Sequence, residues 1–430
     1  MSNNERLRVG IAGLGTVGVG VVKILQSHAK MVAQRAACSI EILGVSAKTK
    51  DKDRGVDLSS YRWFDDPVSL AKDPDIDVVL ELIGGSEGAA KDVVETALKA
   101  GKSVVTANKA LLAHHGTSLA KLAEHQNVTL AYEAAVAGGI PIIKAMREGF
   151  AANQCRSLCG ILNGTCNYVL TEMQRTGKDF AEILKEAQDK GYAEADPSFD
   201  VDGIDAAHKL VLLTALAFGV EPDFDNLSIT GIRDVSIEDI NYAEELGYTI
   251  KLLGTARLID GKLSYSVAPC LVAQDKPISG VEGVFNAVMV EGDFVGPSML
   301  VGRGAGEGPT ASSVVADIID IARGFSLPTF GIKADHLEPA DLASPNVLEG
   351  QFYIHMHVAD QPGVIAEITS AFKQYGVSIE AFVQKGRDPG NNVSVVILTH
   401  ETKESDMNTV IADVETLERV LERPKLMRIV

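Results

Sequence analysis

The chain has 430 residues, 46% of them hydrophobic and 23% charged, which excludes a disordered chain and leaves material for two to four domains at about 100–200 residues each. Its formal net charge of -18 repels nucleic acid backbones and anionic membrane surfaces, so small molecules are the expected partners, with no nucleic acid and no membrane among them. Five cysteines, Cys38, Cys155, Cys159, Cys166 and Cys270, lack zinc-ligand spacing and point to free thiols in a reducing compartment.

The opening "MSNNERLRVGIAGLG" passes from a polar cap into a strand pattern and shows no cationic and apolar signal region. The longest apolar run, Leu210 to Val220, falls short of the roughly 20 residues that span a bilayer. A cytoplasmic protein is expected.

The first third alternates strand-like runs ("RVGIAG", "IEILGV", "DVVLELIG", "SVVTA", "VTLAYE") with helical stretches at Val17 to Ala36, Glu87 to Ala100 and Ala110 to Glu124. This alternation predicts parallel βαβ units in an α/β domain of the Rossmann type, residues 1–139, whose strands are covered on both faces. In "GLGTVG", Gly13, Gly15 and Gly18 stand in G-x-G-x-x-G register between the first strand and a helix opening at Thr16 and Val17. The first glycine permits the tight turn, the second lets a pyrophosphate approach the backbone, and the third allows close packing of the helix whose N-terminus faces the phosphate. At the end of the second strand, where an acid would hold a ribose 2′-hydroxyl, "GVSAKTK" offers Ser46 and Lys48. NADP is therefore favoured over NAD.

From Ile140 the rhythm changes to a helix, the strand "SLCGIL", three helical stretches and then several strands from Tyr248 to Leu300. This reads as an α+β domain, residues 140–325, with a largely antiparallel sheet. Its last helix, Thr310 to Arg323 within 310–325, follows the glycine-rich "GRGAGEG" and is expected to pack back on the first domain. Residues 326–350 are rich in Pro, Gly and Asp without periodicity and read as a linker. Residues 351–430 carry a self-contained βαββαβ pattern, with helices at Gly363 to Tyr375 and Ser405 to Leu421.

"VDGIDAAHKLVLLTALAFG", residues 201–219, places Asp205 and Lys209 one helical turn apart at the head of an otherwise apolar helix. A surface reading makes Asp202 the cap and the pair worth about 0.2–0.5 kcal/mol. Two features favour chemistry instead. Glu194, Asp196, Asp200, Asp202 and Asp205 crowd into twelve residues, more like charge than stability favours and suited to an ammonium-bearing ligand. Lys109, in "VVTANKALLA", follows a strand at the carboxyl edge where open α/β sheets bind ligands. Two lysines and several acids facing a nicotinamide suit carbonyl reduction or alcohol oxidation in an amino acid.

Together "GLGTVG", "ELIGG", "TANKALLA", "EAAVAGGIPII", "GILNGTCNY", "GYAEADPSFDVDGIDAAHKL" and "GAGEGPTASSVV" resemble homoserine dehydrogenases, in order through residues 8 to 325. "ADQPGVIAEITSAF" resembles an ACT regulatory domain, and with no aspartokinase segment ahead of the catalytic region the resemblance is to the monofunctional form. It implies reversible hydride transfer between L-homoserine and L-aspartate 4-semialdehyde in threonine, methionine and isoleucine biosynthesis. It assigns proton donation to Lys209, its orientation to Asp205, and assistance at the same oxygen to Lys109. It puts Glu194 on the substrate's ammonium, with Gly164, Thr165, Gly191 and Tyr192 lining the pocket. Gly13, Gly15, Thr16, Val17, Gly18, Lys48, Thr106, Lys109, Gly191, Gly304 and Gly306 are assigned to the cofactor. A monovalent cation, sodium or potassium, maps to Glu133, Val136, Gly138 and Ile140. Threonine is the implied inhibitor, at the turn Asp360 to Gly363, and a homodimer or homotetramer the implied assembly.

Other reactive side chains read as structural. Cys166 lacks a paired histidine and reads as a core thiol. His114 and His115 read as surface residues, His208 faces away from Lys209, and "HMHV" at 355–358 alternates in a strand and reads as one sheet face rather than a metal site. The competing reading from another class is a regulatory sensor that binds NADP and an amino acid without turnover, which would have no need of a proton donor at Lys209.

Overall fold

The computed structural model describes residues 6–385 and 392–430; the polar start of the chain, residues 1–5, lies outside them. The elements run β1 (Arg6–Ala12), α1 (Thr16–Ser27), α2 (Ala29–Ala36), β2 (Ser39–Ser46), β3 (Arg62–Phe64), α3 (Pro67–Lys72), β4 (Val78–Glu81), α4 (Ala89–Lys99), β5 (Ser103–Thr106), α5 (Lys109–His125), β6 (Leu130–Ala131) and α6 (Ile142–Lys144). Then come β7 (Cys155–Ile161), α7 (Gly164–Thr176), α8 (Phe180–Asp189), α9 (Ser198–Val201), α10 (Ile204–Phe218), β8 (Ser228–Ile229), α11 (Ile237–Glu245), β9 (Tyr248–Ile259), β10 (Lys262–Ala273), β11 (Phe285–Gly292), β12 (Gly296–Arg303) and α12 (Glu307–Ala322). The last are β13 (Glu349–Ala359), α13 (Val364–Gln374), β14 (Ile379–Gln384), β15 (Asn392–Thr399), β16 (Thr402–Lys403), α14 (Glu404–Glu415) and β17 (Lys425–Ile429).

Two compact units divide the chain. The first takes the chain up to Gly164, Asp205–Leu227 and Val284–Ala340; the second takes Thr165–Ile204, Ser228–Gly283 and Asp341–Val430. In the first, a six-stranded sheet has the order β3-β2-β1-β4-β5-β6, parallel throughout. The order reverses at β1, between β2 and β4, and such switch points are where open sheets bind nucleotides beyond their carboxyl ends. Register brings those ends level: Ala12 lies opposite Ser46 and Glu81, and Glu81 opposite Thr106. Val9, Ile11, Val45, Val78, Leu80 and Val105 of these strands form one buried cluster with Val21, Val22 and Leu25 of α1. Ala311, Val314, Val315 and Ile318 of α12 belong to the same cluster, so the late helix covers the sheet beside α1, and Lys23 reaches Glu307 at 2.8 Å. An antiparallel trio, β7-β11-β12, completes this unit.

In the second unit β9 and β10, twelve residues each, form an antiparallel hairpin, and β10 pairs parallel with β17. From β17 the order continues β13, β15, β14, all antiparallel. With α13 and α14 these strands make the βαββαβ module, around Phe352, Ile354, Met356, Ile368, Phe372, Val395, Ile397, Met407 and Val410.

The structure departs from the sequence pattern at several points. The helix expected over Val17 to Ala36 breaks at His28, whose φ of -114° and ψ of 18° are not helical. The three-residue β3 and six-residue α3 are too short to show periodicity, although Asp66 caps α3 by accepting from the Val68 and Ser69 amides. The stretch 326–350 is no free linker: Phe330 and Leu337 are buried, with the Phe330 ring 5.7 Å from that of Tyr132. Among the described residues no helix is long and apolar enough to cross a membrane, and none of the five cysteines forms a disulfide.

Candidate functional site

At the nucleotide end, Gly13 has φ +111° and donates its amide to the Ser46 carbonyl at 2.9 Å. A Cβ on Gly18 would stand 2.0 Å from the Gly13 carbonyl oxygen, so the loop closes this tightly only over glycine. Gly15 holds the N-cap position of α1 without a side-chain cap, and a Cβ there would meet nothing within 4 Å. Exposed Thr16 and half-buried Val17 open the helix, whose free amides and dipole suit a pyrophosphate. Lys48 is exposed just past β2. Arg54, which sequence reasoning missed, stands on the same edge: its guanidinium donates to the carbonyls of Leu14 at 3.2 Å and Lys52 at 2.8 Å and lies 5.8 Å over the Trp63 ring. These features fit a dinucleotide: a glycine cradle, free helix amides and cationic side chains just past the carboxyl end of β2.

The neighbouring strand ends are held by a buried carboxylate. Glu81 accepts from the Ile83 and Gly84 amides at 2.8 and 3.0 Å and from the Thr106 hydroxyl at 2.6 Å. The Thr106 oxygen accepts the Asn108 amide at 3.0 Å, so Thr106 braces this loop with its hydroxyl already engaged. Asn108 donates to the Gly85 carbonyl at 2.7 Å and caps α5 by accepting from the Leu111 amide at 3.1 Å. Lys109, the first residue of α5, is thereby fixed in position.

Its ammonium meets the pair at the head of α10. Every residue of α10 from Asp205 to Ala215 is buried, so the Asp205–Lys209 pair is no solvated surface contact. Lys209 Nζ lies 2.6 Å from Asp205 Oδ2 and donates to the Leu162 carbonyl at 2.7 Å. Lys109 Nζ lies 3.1 Å from Asp205 Oδ1, and the Asn163 amide donates to Oδ2 at 2.8 Å. Burial pushes the Asp205 carboxyl up, but Lys209 and Lys109 beside it, with hydrogen bonds from Lys209 and Asn163, hold it well below the usual carboxylate range. One carboxylate thus organises two cations at a turn shielded from water. Leu162 and Asn163 follow directly on β7, and only the tertiary fold could reveal their contacts with this pair.

Gly164 follows. Nearby, the side-chain amide of Asn286 is buried at 1% exposure with no hydrogen-bond partner for either its nitrogen or its oxygen. A Cβ on Gly304 would fall 2.2 Å from that amide, which explains the glycine. Gly306, with φ +118°, starts α12.

In the second unit, the Thr165 hydroxyl donates to the Tyr192 carbonyl at 2.8 Å and contacts Asp200 Oδ2 at 3.0 Å. Gly191 has φ +74°; Tyr192 and Glu194 are exposed. The acidic run is less concentrated than its spacing suggests. Asp196 accepts from the Ser198 amide, and Asp202 pairs with Arg233 instead of capping α10, from which it is separated by Gly203. Cys166 is buried, its thiol donating to the Asp200 carbonyl at 3.1 Å.

In the first unit, the Glu133 carboxylate is buried and accepts from the Ile143 and Lys144 amides, each at 2.9 Å. Burial, and then the Asp317 carboxylate, push its carboxyl up to about 7. The Gly138 carbonyl accepts from the Ser313 hydroxyl at 2.6 Å, and the Ile140 carbonyl from the Ile142 amide at 2.7 Å. Val136, between Glu133 and Gly138 in sequence, is fully buried. The His208 ring stacks on Phe224 with centroids 4.4 Å apart. His114 is exposed, and half-buried His115 bonds Glu87 at 2.5 Å.

Comparison with known proteins adds three family models: "Homoserine dehydrogenase, NAD binding domain" over residues 13–133, "Homoserine dehydrogenase" over 141–319 and "ACT domain" over 352–419. The chain is 44% identical over 428 residues to a homoserine dehydrogenase of Neisseria gonorrhoeae, covering 98% of each chain. It is 40% identical over 429 residues to that of Bacillus subtilis, covering 99% of this chain and 98% of the other. Among solved structures, a homoserine dehydrogenase from Thiobacillus denitrificans superposes with a TM-score of 0.93 at 41% identity, covering 99% of this chain and 98% of that one. A hyperthermophilic archaeal homoserine dehydrogenase mutant in complex with NADPH matches at TM-score 0.63 and 27% identity, over 73% of this chain and 97% of that one.

Proposed function

The chain belongs to the homoserine dehydrogenase family, and from that premise we propose which of its residues carry the reaction. It is an oxidoreductase acting on a CH–OH group, interconverting L-homoserine and L-aspartate 4-semialdehyde with a nicotinamide nucleotide. A bound nicotinamide supplies or accepts the hydride.

The observation that carries the assignment is the carboxylate of Asp205 between two ammonium groups, 2.6 Å from Lys209 and 3.1 Å from Lys109. When the aldehyde is reduced its oxygen gains negative charge, and a cation fixed beside it stabilises that charge most where water is excluded. Lys209 donates the proton to this oxygen and recovers it in the reverse direction. Asp205, itself set by Asn163, orients Lys209, and Lys109 assists at the same oxygen. Glu194 takes the substrate's ammonium, with Gly164, Thr165, Gly191 and Tyr192 shaping its surroundings. Asp205→Asn should lower kcat about a hundredfold or more while KM for the nucleotide changes little. An unchanged kcat in the folded variant overturns the assignment.

We further infer that Gly13, Gly15, Thr16, Val17 and Gly18 cradle the pyrophosphate, that Gly304 and Gly306 face the nicotinamide end, and that Lys48 with Arg54 favours NADP. Backbone oxygens at Val136, Gly138 and Ile140, with Glu133, are hard donors suited to sodium or potassium. The regulatory module takes threonine at Asp360 to Gly363, where Gly363 with φ +96° precedes α13. Calorimetry showing no threonine binding, with rates insensitive to threonine, would remove that assignment. A homodimer, or a tetramer built from it, is read by sedimentation.

A further inference from the structure

His355 and His357 stand two apart on β13, so both imidazoles leave the same face of the sheet. The residue they meet there comes from α11, far away in sequence. Glu238 Oε2 lies 3.2 Å from His357 Nε2 and 3.7 Å from His355 Nε2, and one ligand-bearing atom from each of the three residues lies within 4.8 Å of the others. The opposite ring nitrogens are engaged by carboxylates. His355 Nδ1 is 2.5 Å from Asp239 Oδ1, and His357 Nδ1 bonds Glu422. Asp239 is itself immobilised by a capping box with Ser236, by Tyr353 at 3.2 Å and by Lys425 at 3.0 Å.

Metal-ligating histidines show this arrangement: one nitrogen is tied to a carboxylate that fixes ring and tautomer, and the other presents its lone pair. Here two such dyads converge on a third carboxylate. Tetrahedral Zn²⁺, with bonds of about 2.0–2.1 Å, sets neighbouring ligand atoms roughly 3.3 Å apart, close to the separations between Glu238 and the two imidazoles. His355 is 1% exposed, whereas His357 at 27% and Glu238 at 50% leave a path from solvent. The Ser394 hydroxyl, 2.6 Å from His355 Nε2, would turn away as the metal enters. Among the described residues, the carboxylates of Glu238, Asp239 and Glu422 contact the imidazoles and the Lys425 ammonium contacts Asp239, a balance that favours a divalent cation.

We propose that Glu238, His355 and His357 form a binding site for a borderline divalent transition metal, Zn²⁺ by preference, that ties the first strand of the regulatory module to α11. Water completes the tetrahedron. The site is separate in residues and in chemistry from the Lys209 machinery.

The test uses the full chain, stripped with chelator and titrated calorimetrically with Zn²⁺, and in parallel with Co²⁺ for its absorption spectrum. The proposal expects one ion per chain and an intense tetrahedral Co²⁺ spectrum. Glu238→Gln and His357→Gln should abolish both, and Glu422→Gln, which touches only the far nitrogen of His357, should weaken Zn²⁺ about 10–100-fold. His115→Gln, at the unrelated His115–Glu87 contact, should change nothing. Homoserine oxidation by each variant reports that it is folded. Absence of Zn²⁺ binding, equal binding by wild type and the Glu238→Gln variant, or an octahedral Co²⁺ spectrum would overturn the proposal.

Discussion

Replacing Lys209 by methionine keeps the length of the side chain up to Cε and removes the terminal ammonium with its charge and its proton. Two contacts disappear, the 2.6 Å ion pair with Asp205 and the 2.7 Å hydrogen bond to the Leu162 carbonyl. Stripping one partner from a buried ion pair costs about 3–5 kcal/mol when the remaining charge is orphaned. Asp205 is not orphaned here, because Lys109 stays opposite Oδ1 and Asn163 still donates to Oδ2. The stability loss should therefore be smaller, about 2 kcal/mol, leaving the variant folded. Turnover should fall much further, about 10²–10⁴-fold, as expected for loss of a positioned acid. Lys209→Arg separates charge from proton: the guanidinium retains the positive charge but does not release a proton near neutral pH, so kcat should remain low in the arginine variant as well. Steady-state oxidation of L-homoserine, with denaturant unfolding of the same preparations, measures both quantities. A folded methionine variant turning over within about threefold of wild type would refute the role of Lys209.

Gly18→Ala forces a methyl group against the Gly13 carbonyl, 2.0 Å from the ideal Cβ; stability should drop about 1–3 kcal/mol and NADPH affinity with it, as read by denaturation and fluorescence titration. Lys48→Glu should shift the ratio of kcat/KM for NADP over NAD about tenfold or more toward NAD, and an unchanged ratio would remove Lys48 from cofactor selection. Lys251 is buried, and desolvation lowers its ammonium to about 8 against the ordinary 10.5. Because the unfolded chain then binds the extra proton between these values, wild-type stability should rise relative to Lys251→Met from pH 8 to pH 10.5, by about 3 kcal/mol in all; parallel denaturation curves across that range would contradict it.

The features legible in the sequence were those written locally. Glycines at 13, 15 and 18 fix a strand, a turn and a helix within a few residues, and the βαββαβ rhythm of the last eighty residues needs only periodicity. The short β3 and α3 escaped because three and six residues cannot display a period. The packing of 326–350 escaped because Pro and Gly hide a pattern that Phe330 and Leu337 satisfy by tertiary contact alone. At the site, the Asp205–Lys209 spacing and the place of Lys109 at a strand's carboxyl edge were visible, but the contact of Lys109 with Asp205 and the further partner Asn163 depend on the chain folding back. Asp202 shows the opposite case: a plausible cap by position, it is claimed by Arg233, thirty-one residues on. The His355–His357 alternation likewise reads as an ordinary sheet face until α11 brings Glu238 to it.

The most direct measurement is nicotinamide absorbance with the purified protein and L-homoserine, with NADP and NAD in separate cuvettes and sodium or potassium present. Reduction of the cofactor is expected, faster with NADP than with NAD. Silence with both nucleotides, and in the reverse direction with L-aspartate 4-semialdehyde, would contradict it and return the chain to a nucleotide- and amino-acid-binding sensor.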